Sequence, residues 1–230
     1  MKETLKKIYS KIKPSYLPKL EKVDIGDLIS QDSLNVNIQD IKAIDGNVSS
    51  FELFVINSLI VDASPKTIFE FGTFNGRTTL NMALNTRVDA EITTIDLDPK
   101  YLENTKYQLE EIEEKYVKKD STGNLFKNSI AKTKIKQLYG DTATFDFSNY
   151  FNQIDFIFID ASHAYDYVIN DSLIALKMLR NHRGVILWHD YGQMGYWPGV
   201  TLALDKLRDE NAAFAQLKHI SGGTLAYLHC

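Results

Sequence analysis

Thr67-Ile68-Phe69-Glu70-Phe71-Gly72-Thr73-Phe74-Asn75-Gly76-Arg77-Thr78-Thr79 is the stretch on which the fold turns. Four of its first five residues are β-branched or aromatic, as a buried strand requires. Gly72 lets the chain turn sharply and a ligand approach where a Cβ would stand, and Gly76 allows close packing where a helix opens at Arg77. Strand, glycine turn and helix in that order place a ligand at the carboxyl edge of an open α/β sheet. An ordinary glycine turn fits the same residues. The spacing lacks the three-glycine dinucleotide pattern, which disfavours a nicotinamide or flavin site without excluding one.

Outward from this stretch the alternation continues, and it predicts a parallel sheet with crossover helices. Strands are expected over 67–71, 92–96, 135–139, 156–160 and 185–189, with helices over 77–85, 99–116 and 165–180. Upstream, Ser49 with Glu52 three residues later reads as a capping box, so residues 1–60 read as a helical preface. Downstream, Pro198 opens a helix to about 209, and strands over 214–220 and 224–229 are joined by Ser221, Gly222 and Gly223 in a hairpin-like reversal. The polar segment 117–133, with Gly123, reads as a loop or insertion, and the run Glu110, Glu111, Glu113, Glu114 as the solvated face of its helix.

At 230 residues, 44% hydrophobic and 24% charged, the chain suits one soluble α/β domain, and 12 Phe, 12 Tyr and 2 Trp can anchor its core. The only cysteine, Cys230, rules out an intrachain disulfide or a cysteine zinc cluster and fits a reducing cytoplasm. No apolar run exceeds four residues, so neither a membrane span nor a signal-peptide core is expected. A net charge of −4 argues against a nucleic-acid partner. Residues 1–22 hold seven Lys against Glu3 and Glu21, but Pro14 and Pro18 break their helical period. A solvated or packing arm is the favoured reading, a membrane surface or an acidic partner the other. Oligomeric state stays open, a homo-oligomer among the options.

Carboxylates gather at the same sheet edge. Asp96 ends the second strand, 24 residues after Gly72, where it can accept both ribose hydroxyls of a nucleoside. Asp98, beside Pro99, suits a helix cap. Gly140-Asp141-Thr142 follows the third strand and suits an adenine amino group. Acids at Glu70, Asp96 and Asp141 would repel a phosphate, and they suit a ligand with hydroxyls, amines and a positive centre.

With these residues the chain resembles the class I S-adenosylmethionine-dependent methyltransferases, and Glu70-Phe71-Gly72-Thr73-Phe74-Asn75-Gly76 resembles the first motif of their small-molecule O-methyltransferases. The resemblance covers about 48–229. It implies a Rossmann-like, doubly wound seven-stranded sheet of order 3-2-1-4-5-7-6 with strand 7 antiparallel, in a methyltransferase domain of residues 48–230 behind a helical preface or arm of residues 1–47. By this likeness Glu70, Gly72 and Thr73 line the methionine end with Gly76 at the helix start, Asp96 holds the ribose, and Asp141 with Thr142 borders the adenine.

Strand four ends in Asp160-Ala161-Ser162-His163 and strand five in His189-Asp190. Two acids at neighbouring tips can share a hard divalent cation such as Mg2+, with His189 completing the set as a softer ligand. The competing reading makes Asp160 a helix cap and His189 a core histidine. The pattern is similar to metal-dependent O-methyltransferases, although those carry an acidic pair where this chain has His189-Asp190. His163, three residues beyond Asp160, is placed to take a proton from a substrate hydroxyl, with His189 as the competing base. Tyr165, Tyr191, Tyr196 and Trp197 are candidates to wall an acceptor pocket. The expectation is a cytoplasmic O-methyltransferase for a small hydroxylated acceptor, a sugar or glycan unit among the options. The rivals are a non-catalytic cofactor- or partner-binding module and an NAD-dependent oxidoreductase.

Overall fold

In the computed structural model, residues 16–119 and 121–230 are described. Their eight strands are β1 (Glu21–Val23), β2 (Thr67–Phe71), β3 (Glu91–Asp96), β4 (Ile135–Tyr139), β5 (Phe156–Ile159), β6 (Val185–Trp188), β7 (Lys218–Ile220) and β8 (Ala226–His229). They form one sheet in the order β1-β7-β8-β6-β5-β2-β3-β4. Only β8 runs antiparallel to its neighbours. Leaving β1 aside, this is the expected order 3-2-1-4-5-7-6.

The strands alternate in the way that buries both faces. Phe69, Phe71, Ile157, Ile159, Ile186 and Trp188 pack on one side, against α6 (Tyr165–Met178) and α7 (Pro198–Glu210). Ile68, Phe156, Phe158, Val185 and Leu187 pack on the other, against α2 (Ser50–Ala63) and α3 (Arg77–Asn85). The register pairs Phe71 with Ile95 and Ile159, and Ile159 with Trp188. The next residues of each chain therefore emerge together at one sheet edge.

The predicted capping box is formed: the Glu52 amide donates to Ser49 Oγ at 3.1 Å and the Ser49 amide to Glu52 Oε2 at 2.9 Å. Among its described residues the preface before it is not the helix expected: it holds β1, the four-residue helix α1 (Ile25–Leu28) and irregular chain. The cause is polar pairing: Asn85 and Asn81 of α3 accept from the amides of Asn37 and Gln39 at 2.7 and 2.8 Å and donate back to their carbonyls. Side-chain amides thus do for this segment what a neighbouring strand would do. β1 also covers β7, which would otherwise be an open sheet edge.

Of the basic arm, Lys2, Lys6, Lys7, Lys11 and Lys13 lie outside the described residues. Its last part packs: Tyr16 donates to Asp205 at 2.8 Å and Lys19 pairs with Asp209 at 2.7 Å. The predicted helix 99–116 is broken into a 3-10 turn (Pro99–Asn104), another (Glu111–Glu113) and the short α4 (Glu114–Val117). With Tyr101 and Ile112 half exposed, the segment has no continuous apolar stripe to bury. Segment 117–133 includes α5 (Asn124–Lys127), anchored by the buried Phe126 against Gly76 and Gly123. The strand expected over 214–220 shortens because Ala212–Phe214 is a 3-10 turn capped by Asn211.

Arg77 holds the preface to the domain. Its buried guanidinium donates to the carbonyls of Asp40, Val48 and Ile41 at 2.6, 2.8 and 2.8 Å. Arg77→Met leaves three carbonyls without this donor, and a loss of about 2 to 4 kcal/mol in urea unfolding is expected. Wild-type stability in that variant would show the clamp to be dispensable.

Candidate active site

At the carboxyl edge of β2, β3, β5 and β6 lies a cavity of about 280 Å³. Gly72, Asp96, Asp141 and Thr142 line one part of it, and Asp160, His163, His189, Asp190 and Trp197 another. Gly72 is left-handed at φ +90°, and a Cβ there would strike the Asp160 carbonyl, so only glycine lets the β2 and β5 tips meet this closely. Phe74 and Gly76 are left-handed too, giving a tightly wound loop.

Glu70, Thr73 and Gly76 stand behind the cavity wall rather than on it. Glu70 is fully buried and accepts from Thr79 and Thr94, and Thr94 in turn meets Thr73 at 2.6 Å. Burial pushes its carboxyl up to about 8 despite those hydrogen bonds. Asp96 Oδ2 accepts from the Phe74 amide at 2.7 Å and from Lys119 Nζ at 2.8 Å. Asp141 is occupied structurally, accepting from the amides of Lys106 and Ala143 at 2.8 and 2.9 Å and from Tyr167 at 2.8 Å. Asp98 caps the Pro99 turn, as read from the sequence.

The acids and histidines of β5 and β6 do come together. His189 Nδ1 lies 3.1 Å from Asp160 Oδ1 and 3.2 Å from Asp190 Oδ2, and its Nε2 lies 3.4 Å from Glu52 Oε2. His163 Nε2 lies 2.9 Å from Asp190 Oδ2, and its Nδ1 2.9 Å from Glu113 Oε1. Trp197 stacks on His163 with ring centres 4.0 Å apart. Asp190 reaches both imidazoles from a left-handed conformation, φ +64°. Donor atoms of Asp160, His189 and Asp190 lie within 4.8 Å of one another. The two carboxylates suit a hard divalent cation, and the imidazole stands beside them as a softer donor.

Burial pulls both imidazoles toward the neutral form, and their carboxylate partners overcome it. His163 is pushed up to about 9 by hydrogen bonds to Asp190 and Glu113. His189 is raised well above its ordinary value, chiefly by the charge of Asp160. Asp190 is held below the usual carboxylate range: burial would raise it, but hydrogen bonds from the two histidines prevail.

Glu113 corrects the reading of its acidic run as a solvated face. It is 4% exposed and also accepts from the His163 amide and from Ser162 Oγ, the latter at 3.0 Å. The run signals negative charge, not its direction, and the broken helix turns this one residue inward. Lys119 carries no sequence signal, and Glu52 reads only as a cap. Of the aromatic candidates, Trp197 reaches the cavity, Tyr196 is exposed, and Tyr191 is buried, donating to Asp205 at 2.6 Å.

The model of the methyltransferase-domain family matches residues 69–191, more than half of the chain and the span from β2 to the turn after β6. The chain belongs to that family, and its sheet is the class I methyltransferase fold. No curated protein matches it. Among solved structures it is similar to the O-methyltransferase TomG of Streptomyces achromogenes, involved in tomaymycin synthesis and solved with SAM (16% identity, TM-score 0.53, covering 80% of this chain and 82% of that one). It is also similar to the SAH-bound methyltransferase PaMTH1 of Podospora anserina (20%, 0.53, 80% and 80%). A third is the O-methyltransferase of Bacillus cereus in complex with SAH (16%, 0.51, 81% and 84%).

Because the folded state raises the His163 pKa, its contribution to stability is complete below its ordinary value of 6.5 and is lost as pH rises through about 9. Wild-type protein free of divalent cations should therefore lose stability over that interval, and His163→Gln should lose less. Equal slopes for the two proteins would remove the assigned proton.

Proposed function

We propose that the chain transfers a methyl group from S-adenosylmethionine to a hydroxyl of a small molecule, with a sugar or glycan unit as the first acceptor class to test. The observation that carries this reading is that one cavity is lined both by Asp96 with Asp141 and Thr142 and by the Asp160, His163, His189, Asp190 cluster. SAM or SAH in the similar structures supports it. The chemistry is assigned to residues 48–230, with 1–47 as an arm.

In this reading Asp96 accepts the ribose hydroxyls, Gly72 gives the methionine end room, and Asp141 with Thr142 borders the adenine. Glu70, Thr73 and Gly76 act from behind, holding the glycine loop in shape. Asp160, Asp190 and His189 hold a divalent cation, Mg2+ first among candidates. When bound, such an ion lowers the pKa of a coordinated hydroxyl. The chain must align the acceptor oxygen with the methyl carbon and sulfur, so that a C–O bond forms as the C–S bond breaks, while His163 takes the hydroxyl proton. Only its neutral form can do so, and turnover should fall at low pH as the imidazole takes a proton.

The reading is tested with labelled S-adenosylmethionine and a panel of hydroxylated acceptors. Transfer is expected to stop in chelator and return with Mg2+ or Mn2+, while His163→Ala loses roughly 10²- to 10⁴-fold in turnover. Asp96→Ala should weaken cofactor binding by about 1 to 3 kcal/mol in calorimetry. Full turnover in excess chelator sinks the cation; unchanged cofactor affinity in a folded Asp96→Ala protein removes the ribose contact.

A further inference from the structure

Among the described lysines it is Lys119 that lines the cavity, its side chain 12% exposed and that of Asp96 10%. Its ammonium is fixed on three sides. It lies 2.8 Å from Asp96 Oδ2, donates to the Tyr116 carbonyl at 3.0 Å, and sits 5.6 Å from the centre of the Phe74 ring. Phe74 belongs to the glycine loop and Asp96 to the tip of β3, so the lysine joins the two walls between which a nucleoside would lie. We propose that Lys119 is a cofactor-positioning residue, its ammonium clamping one oxygen of Asp96 so that the carboxylate meets the ribose as a fixed, charged acceptor.

This rests on the ribose role of Asp96. The charge environment supports it. The charge of Asp96 is felt by Glu70 on β2 and Tyr139 on β4, neither of which supplies positive charge, and it is met by Lys119 from the segment after α4. Burial raises the Asp96 carboxyl, and the Lys119 charge is the foremost influence drawing it back, ahead of the Phe74 and Leu97 amides. Without that charge the carboxyl takes a proton at higher pH. A protonated acid offers a donor where two hydroxyls need acceptors. The loss must therefore deepen as pH falls, a signature that a packing role would not produce.

The experiment is calorimetric titration of the full chain with S-adenosylhomocysteine from about pH 6 to about pH 8.5, spanning the region above the ordinary Asp range. Wild type, Lys119→Met, Lys119→Arg and Asp96→Asn are compared at each pH, after thermal unfolding shows each to be folded. The ratio of the Lys119→Met Kd to the wild-type Kd is expected to be about tenfold at the acid end and to shrink as pH rises, while Lys119→Arg stays near wild type. A ratio of one throughout, tighter binding by Lys119→Met, or Lys119→Arg as weak as Lys119→Met overturns the proposal. Wild-type affinity in Asp96→Asn would remove the ribose reading itself; a weak Asp96→Asn beside an unaffected Lys119→Met removes only the role of Lys119.

Discussion

The site is built around one buried carboxylate, that of Glu52. One oxygen accepts the Ser49 amide and approaches His189 Nε2; the other accepts both the amide and the hydroxyl of Thr224 at 2.7 Å. Thr224 Oγ in turn accepts the Asp190 amide at 3.2 Å. Gly223 must lack a side chain because a Cβ would meet Glu52. The first turn of α2, the β7–β8 reversal and the tip of β6 thus share a single anchor. Burial alone would favour a neutral Glu52, but the His189 and Thr224 contacts hold it well below the ordinary carboxylate range. It remains charged, and its charge helps keep His189 protonated.

Charge balance explains the rest of the cluster. Four carboxylates, those of Glu52, Glu113, Asp160 and Asp190, meet two imidazoles. Burying that many acids costs heavily unless positive charge accompanies them. Protons on His163 and His189 supply it. A cation at Asp160, His189 and Asp190 would supply it differently, because a ligating imidazole must give up a lone pair and therefore its second proton. Proton and cation compete for the same negative charge, and metal affinity at such a site rises with pH.

The parallel sheet was legible because its strands are short β-branched or aromatic runs, such as Phe156 to Ile159, that alternate with longer helical patterns. The acids and histidines that end β3, β5 and β6 were legible beside them, because a parallel register carries each strand's next residue to one edge. Segments without periodicity were not legible. Nothing in residues 28–48 shows that Asn81 and Asn85 will hold Asn37 and Gln39 by their backbones, since the pairing joins residues more than forty positions apart. Glu113 and Lys119 look like neighbouring surface charges, and only the broken helix aims them inward.

That break has a functional consequence. A continuous helix over 99–116 would gather Glu110, Glu111, Glu113 and Glu114 on one face, and four acids on one surface helix would stay in water. Instead the 3-10 turn and short α4 place Glu113 against His163 and Ser162, while six residues later Lys119 meets Asp96. One short segment therefore touches the β5 loop and the β3 tip at once, and Lys115 and Tyr116 between them reach Asp45 of the preface, Tyr116 at 3.0 Å. The cavity's two halves, drawn from strands on either side of β2, share this segment as part of their lining.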